Sequence, residues 1–114
     1  MFDEHKIKEK VKVSSFVKKI ERYGHSNIET TTHTFFRLSE KQRKIYTEKD
    51  LKKIVFEDRP LEVSIQKNGN YAVIYTYDKE QKLLKVLLDL STNKVYIVTF
   101  YILNRRQEKE FKNG

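Results

Sequence analysis

The stretch LEVSIQKNGNYAVIYTYDKEQKLLKVLLDLSTNKVYIVTFYI, residues 61–102, decides the fold. Leu61, Val63 and Ile65 alternate with polar residues, the pattern of a strand with one buried face. Asn68-Gly69 follows, a pair that tolerates positive φ and suits a tight hairpin turn. From Tyr71 to Tyr77 the odd positions Tyr71, Val73, Tyr75 and Tyr77 fall on one face and Ala72, Ile74 and Thr76 on the other. We expect the helices to cover the tyrosine face. After the charged turn Asp78 to Lys82, Leu84, Val86, Leu88 and Leu90 mark a third strand. Ser91-Thr92-Asn93 turns the chain again. Val95 to Ile102 is almost wholly apolar, which predicts a central strand covered on both faces. Four periodic runs joined by short turns predict an antiparallel meander with strands near 61–67, 71–78, 83–90 and 94–102.

Upstream the period changes to that of helices. Phe16, Val17, Ile20 and Tyr23 share a helical face, Ser14 or Ser15 is a candidate cap, and Gly24 is a natural stop. Ile7, Val11 and Val13 alternate with lysines and fit either a strand or an early helix turn. Ile28 to Thr32 is β-branched and short, as a strand would be. His33, Phe36, Arg37 and Lys44 follow in a helical pattern. Thr47 then reads as the cap of a helix carrying Leu51, Ile54 and Val55, with Asp50 three residues on, and Pro60 closes the region. Helices followed by a meander define an α+β fold, with N-terminal helices packed on one face of a four-stranded antiparallel sheet. At 114 residues the chain is one domain. It divides into an N-terminal extension (1–27), a core (28–102) and a charged tail (103–114) expected to fray.

Composition narrows the function classes. Cysteine is absent, which excludes disulfides, thiolate metal sites and cysteine nucleophiles. His5, His25 and His33 lack ligand spacing, and neither a phosphate loop nor a dinucleotide fingerprint occurs, so no metal and no cofactor is expected. No run approaches the about 20 apolar residues that span a bilayer, and residues 1–10 lack a signal-peptide core. The expected place is the cytoplasm, with no membrane partner. The formal charge is +8, spread along the chain and interleaved with acids. Such an excess suits a polyanion, RNA more than DNA, or serves a solvated surface alone. A small core also suits a homodimer, and a protein partner is the remaining expectation. Few Gly, one Pro and many Lys and Glu match the surface style of heat-adapted proteins.

His33 and Arg37 stand four apart and would share one helix face. An imidazole beside a guanidinium suits acid–base work on a phosphodiester. Arg43, Lys44, Lys52, Lys53 and Arg59 make the following segment basic.

The runs His33-Thr34-Phe35-Phe36-Arg37, Arg43-Lys44-Ile45, Thr47 to Leu51 and Tyr96-Ile97-Val98-Thr99-Phe100 resemble a small-domain family. That family has a His-x3-Arg helix, a second Arg, a Ser/Thr-capped helix and a β-meander. The order of elements is also similar to RelE/ParE/BrnT-type toxins, which include metal-independent ribonucleases. Residues 1–27 depart from the short forms of the pattern, and an orphan viral or plasmid protein of a heat-adapted archaeal host would share the composition. The resemblance implies RNA cleavage without metal. His33 and Tyr101 would then move protons, Arg37 would hold the phosphate, and Arg43, Lys44, Arg105 and Arg106 would bind the strand. A non-catalytic nucleic-acid-binding module and a protein-interaction domain are the alternatives.

Overall fold

The structure is a computed structural model that describes residues 7–113. The expected leaderless start at residues 1–6 lies outside them. The meander is present: β3 (Glu62–Gln66), β4 (Tyr71–Tyr77), β5 (Lys82–Leu90) and β6 (Val95–Ile102) pair antiparallel in sequence order. Gly69 takes φ 92° in the first turn, the left-handed region that a side chain would strain.

Two further strands extend the sheet to six, in the order β1-β3-β4-β5-β6-β2. β1 (Ile7–Val11) settles the open reading of the N-terminal segment as a strand, antiparallel to β3. β2 (Ile28–Thr30) pairs parallel with β6 at the other edge. α1 (Val13–Tyr23) joins these two strands and buries Phe16 and Ile20 in the main core. It begins earlier than expected. Its N-cap is Lys12, without a side-chain cap, so neither Ser14 nor Ser15 serves. Gly24 ends it at φ 84°, as expected.

The helix expected from His33 to Lys44 does not form as one piece. Residues 32–37 make successive turns, and α2 (Glu40–Ile45) starts anew at Ser39 with a reciprocal cap to Gln42. The cause is local. The Thr34 hydroxyl accepts from Thr31 N at 2.8 Å and donates to Ile97 O at 2.6 Å, which ties this segment to β6 in place of a helical ladder. α3 (Glu48–Glu57) follows the sequence: Thr47 accepts from Asp50 N, and Leu51, Ile54 and Val55 are buried.

The first three helices lie on one sheet face. There Val73, Tyr75 and Tyr77 meet Leu84, Val86, Leu88, Val95, Ile97 and Phe100. The tyrosine face is thus covered, with Tyr71 half-buried at its end. The tail, read from sequence as a charged segment, is helical over most of its described residues. Asn104 caps α4 (Arg105–Asn113) by exchanging hydrogen bonds with Gln107, and Phe111 packs with Leu103, Ile74 and Leu83 on the opposite face. Helices therefore cover both faces. Yet β6 is covered on one side only: Val95, Ile97 and Phe100 are buried, whereas Tyr96, Val98, Thr99 and Tyr101 are half-buried.

Candidate nucleic-acid interface

β6 carries one residue more than β5 opposite Leu87 and Leu88. Such a bulge re-aims the side chains beyond it. Before it, Val95 and Ile97 face the core. After it, Phe100 and Ile102 sit across from Val86 and Leu84 on the core face. Thr99 and Tyr101 therefore lie across from Leu87 and Lys85 on the outer face. Plain alternation from Val95 would have buried both.

β2 ends at Thr30, so β6 beyond Ile97 has no strand beside it on that edge. The 32–37 turns run along this edge instead. Thr34 is buried and fixed to Ile97, and Phe35 meets Phe100 edge-on at 6.0 Å. These two anchors hold Arg37 over the strand. Its guanidinium lies 4.4 Å from the centre of the Tyr101 ring, and its Nη2 donates to Thr99 Oγ1 over a long 3.4 Å. Thr34, Arg37, Leu38, Gln42, Thr99, Phe100, Tyr101 and Ile102 line an open cleft of about 230 Å³. Gln42 Oε1 is taken by Ser39 N, which leaves its amide hydrogens as donors. No carboxylate lines the cleft.

Of the residues singled out from sequence, Arg37 and Tyr101 come together and His33 does not join them. In tight turns residues three apart eclipse, so His33 meets Phe36, edge-on at 6.4 Å. His33 is exposed and does not line the cleft. Arg43 donates to Phe36 O at 3.4 Å and borders a neighbouring cleft with Phe35, Tyr46, Thr47 and Glu48. Lys44 is exposed on α2, and Arg105 and Arg106 are exposed at the start of α4. None of these three makes an ion pair among the described residues, whereas Lys10, Lys52, Lys79 and Lys94 pair with Glu62, Glu48, Asp50 and Glu29.

Sequence reasoning missed Thr34 as an anchor and Phe36 as an open surface. Phe36 is 73% exposed, the most open large apolar residue described. A Phe at the exposed position of a Thr-rich turn was its only signal. It also missed a second cleft, where Lys19, Arg22 and Tyr23 of α1 meet Tyr71, Leu90 and Thr92. A third concavity holds Asp50, Asp58 and Asp78 with Lys53 and Lys79. Its acids are shifted in opposite directions. The hydrogen bond from Lys79 holds Asp50 below the usual carboxylate range, while burial and then Asp78 push Asp58 up. Among the described residues no group of three or more His, Asp or Glu is placed to hold a metal ion. No described helix is long and apolar enough to cross a membrane.

Fold and cleft together define a small basic α+β domain with an aromatic–cation platform at a sheet edge. The chain belongs to the MJ0788 family, whose description matches residues 14–87. No curated protein and no solved structure matches it. The family match carries no likeness to the RelE/ParE/BrnT-type toxins and no viral or plasmid origin. It includes Arg37, Arg43 and Lys44 and stops ahead of β6.

Proposed function

We propose that the domain binds single-stranded RNA across the cleft between the 32–37 turns and the end of β6. The observation that carries this is Arg37 held over the Tyr101 ring in an open cleft with no carboxylate among its described lining residues. A guanidinium laid on a ring extends the aromatic plane, and its outer face accepts a base while its N–H edge meets phosphate. Phe36, open one residue away, offers a second base-sized surface. Thr99 and Gln42 supply hydroxyl and amide donors suited to a ribose 2′-OH. Arg43, Lys44, Arg105 and Arg106, without an ion pair among the described residues, supply charge for backbone contacts, in keeping with the +8 balance.

A second reading, RNA cleavage without metal, is favoured by one feature: the Tyr101 phenol shares the cleft with Arg37. Cleavage needs a group to take the 2′-OH proton and a cation to hold the phosphate, and these two residues fit those parts. His33 would need to turn from Phe36 to take part.

One experiment separates the readings. Labelled single-stranded RNA is titrated by anisotropy, and its integrity is followed with a chelator present. Tyr101→Ala should weaken binding by roughly tenfold, in line with a lost stacking partner. Tyr101→Phe should keep binding. Affinity should fall steeply with salt, because phosphate contacts release counterions. Native protein that leaves RNA intact supports the binding module, and cleavage lost in Tyr101→Phe supports the ribonuclease. Absence of binding at low salt in the native protein sinks both.

A further inference from the structure

The second cleft lies at the other end of the sheet, where β5 turns into β6, and has no part in the RNA reading. Its volume is about 330 Å³, and its lining is Lys19, Arg22, Tyr23, Tyr71, Leu90 and Thr92. Lys19, Arg22 and Tyr23 stand three and four apart on α1, so one helix face presents all three. Tyr71 opens β4 and rests against Phe16, ring centres 5.9 Å apart.

The hydrogen-bonding state of the lining selects the ligand. Lys19 Nζ donates to Tyr71 OH at 3.2 Å and sits 5.6 Å from the ring centre. The phenol oxygen is thus an acceptor toward Lys19, and its own proton is free to donate. Tyr23 OH already donates to Ser91 O at 2.6 Å. Lys19 and Arg22 pair with no carboxylate among the described residues, and no carboxylate lines the cleft. What remains is two cations and two hydroxyl donors, Tyr71 and Thr92, around one concavity. Two like charges one turn apart repel, and an anion between them would relieve that repulsion. The C-terminal end of α1 carries partial negative charge, so it steadies the two cations but does not attract the anion. The side chains alone must hold it.

We propose that this cleft binds a phosphate monoester. A dianion matches the two cations, and Leu90 with the tyrosine rings offers an apolar wall to whatever body carries the phosphate. The same chemistry has two sources, a free nucleoside monophosphate and the phosphorylated 5′ end of a strand.

The test is an amide chemical-shift titration of the full chain with inorganic phosphate, with adenosine monophosphate and with a 5′-phosphorylated tetranucleotide, each against chloride at matched ionic strength. Expected are saturable shifts at Lys19 to Tyr23, Tyr71 and Thr92, with a Kd of about 1 mM or tighter for at least one phosphate monoester. Tighter binding of the mononucleotide assigns the free nucleotide, and tighter binding of the tetranucleotide assigns a strand end. Arg22→Gln, at an exposed position, should lower affinity about tenfold, as loss of a charge-assisted hydrogen bond does. Tyr71→Phe keeps the ring and should lower it several-fold. Arg37→Ala should leave it unchanged, which keeps this site's outcome separate from that of the RNA platform. Shifts that track chloride, or equal affinity in Arg22→Gln and native protein, overturn the proposal.

Discussion

Tyr75 shows most sharply what the sequence period conveys and what it leaves out. The alternation in β4 placed it on the covered face, and it is fully buried there. Alternation says nothing of the hydroxyl, which has no hydrogen-bond partner among the described residues. Burial, with Asp58 nearby, pushes its pKa far up, so it stays protonated. Its neighbour Tyr77 fares better: its hydroxyl donates to Ile45 O at 2.5 Å and lies 3.3 Å from Asp50. Burial first and Asp50 second push Tyr77 up to about 12. An unmade buried hydrogen bond costs about 1–3 kcal/mol. Tyr75→Phe should therefore stabilise the domain by about 1 kcal/mol and raise Tm by about 4 °C, read by thermal melting. The same change at Tyr77 should lower Tm, because it strands the Ile45 carbonyl.

Among the elements, the 32–37 turns hold the site, and they are where sequence reasoning fell short. His33, Phe36, Arg37 and Lys44 do recur at helical spacing. The competing signal was Thr34, whose hydroxyl takes a backbone partner in β6, 63 residues away in the sequence. A local pattern cannot report a partner that far along the chain. The bulge in β6 is the second such case. It depends on how β5 and β6 align, and an unbroken apolar run hides it. The meander, the Thr47 cap and the Gly24 stop were legible because each rests on neighbours within a few residues. So Arg37 and Tyr101 were found by residue type, and the Thr34 tie that holds them together was not. Thr34→Val keeps the shape but removes both hydrogen bonds. It should cost about 1–3 kcal/mol and loosen Arg37 from Tyr101. Denaturant melts would show the first effect. The second should appear as weaker RNA binding under conditions where the variant is still folded.

For the whole molecule, charge sets the response to acid. Asp50, Glu48 and Glu29 all sit below their ordinary values, chiefly through hydrogen bonds from Lys79, Lys52 and Lys94. A carboxylate whose pKa is depressed on folding stabilises above its unfolded value, and the gain is lost as pH falls through the folded one. The ordinary values are 4.5 for Glu and 3.8 for Asp, so the loss falls below them. Asp58, pushed up by burial, has the opposite sign: the fold gains as it takes a proton. Tm should drop as pH falls below about 4.5, and Asp50→Asn should drop less over that range because its share is already gone. That share is about 0.5–1 kcal/mol for a partly exposed pair. Equal slopes in both proteins would refute the assignment.

β1 and β2 belong to the first 30 residues, yet they occupy opposite borders of the sheet. Each joins strands far along the chain: Val11 sits beside Val63, and Ile28 beside Val95. The meander between them is built from neighbours. Long-range closures are slow because much chain entropy is lost before contacts form. β1 and β2 precede their partners β3 and β6 in the chain and can pair only once those strands are present. Until then β3 and β6 present bare rims that invite other chains. In this chain β1 and β2 are therefore the cover for those two rims, and any delay in docking them would lengthen the exposure.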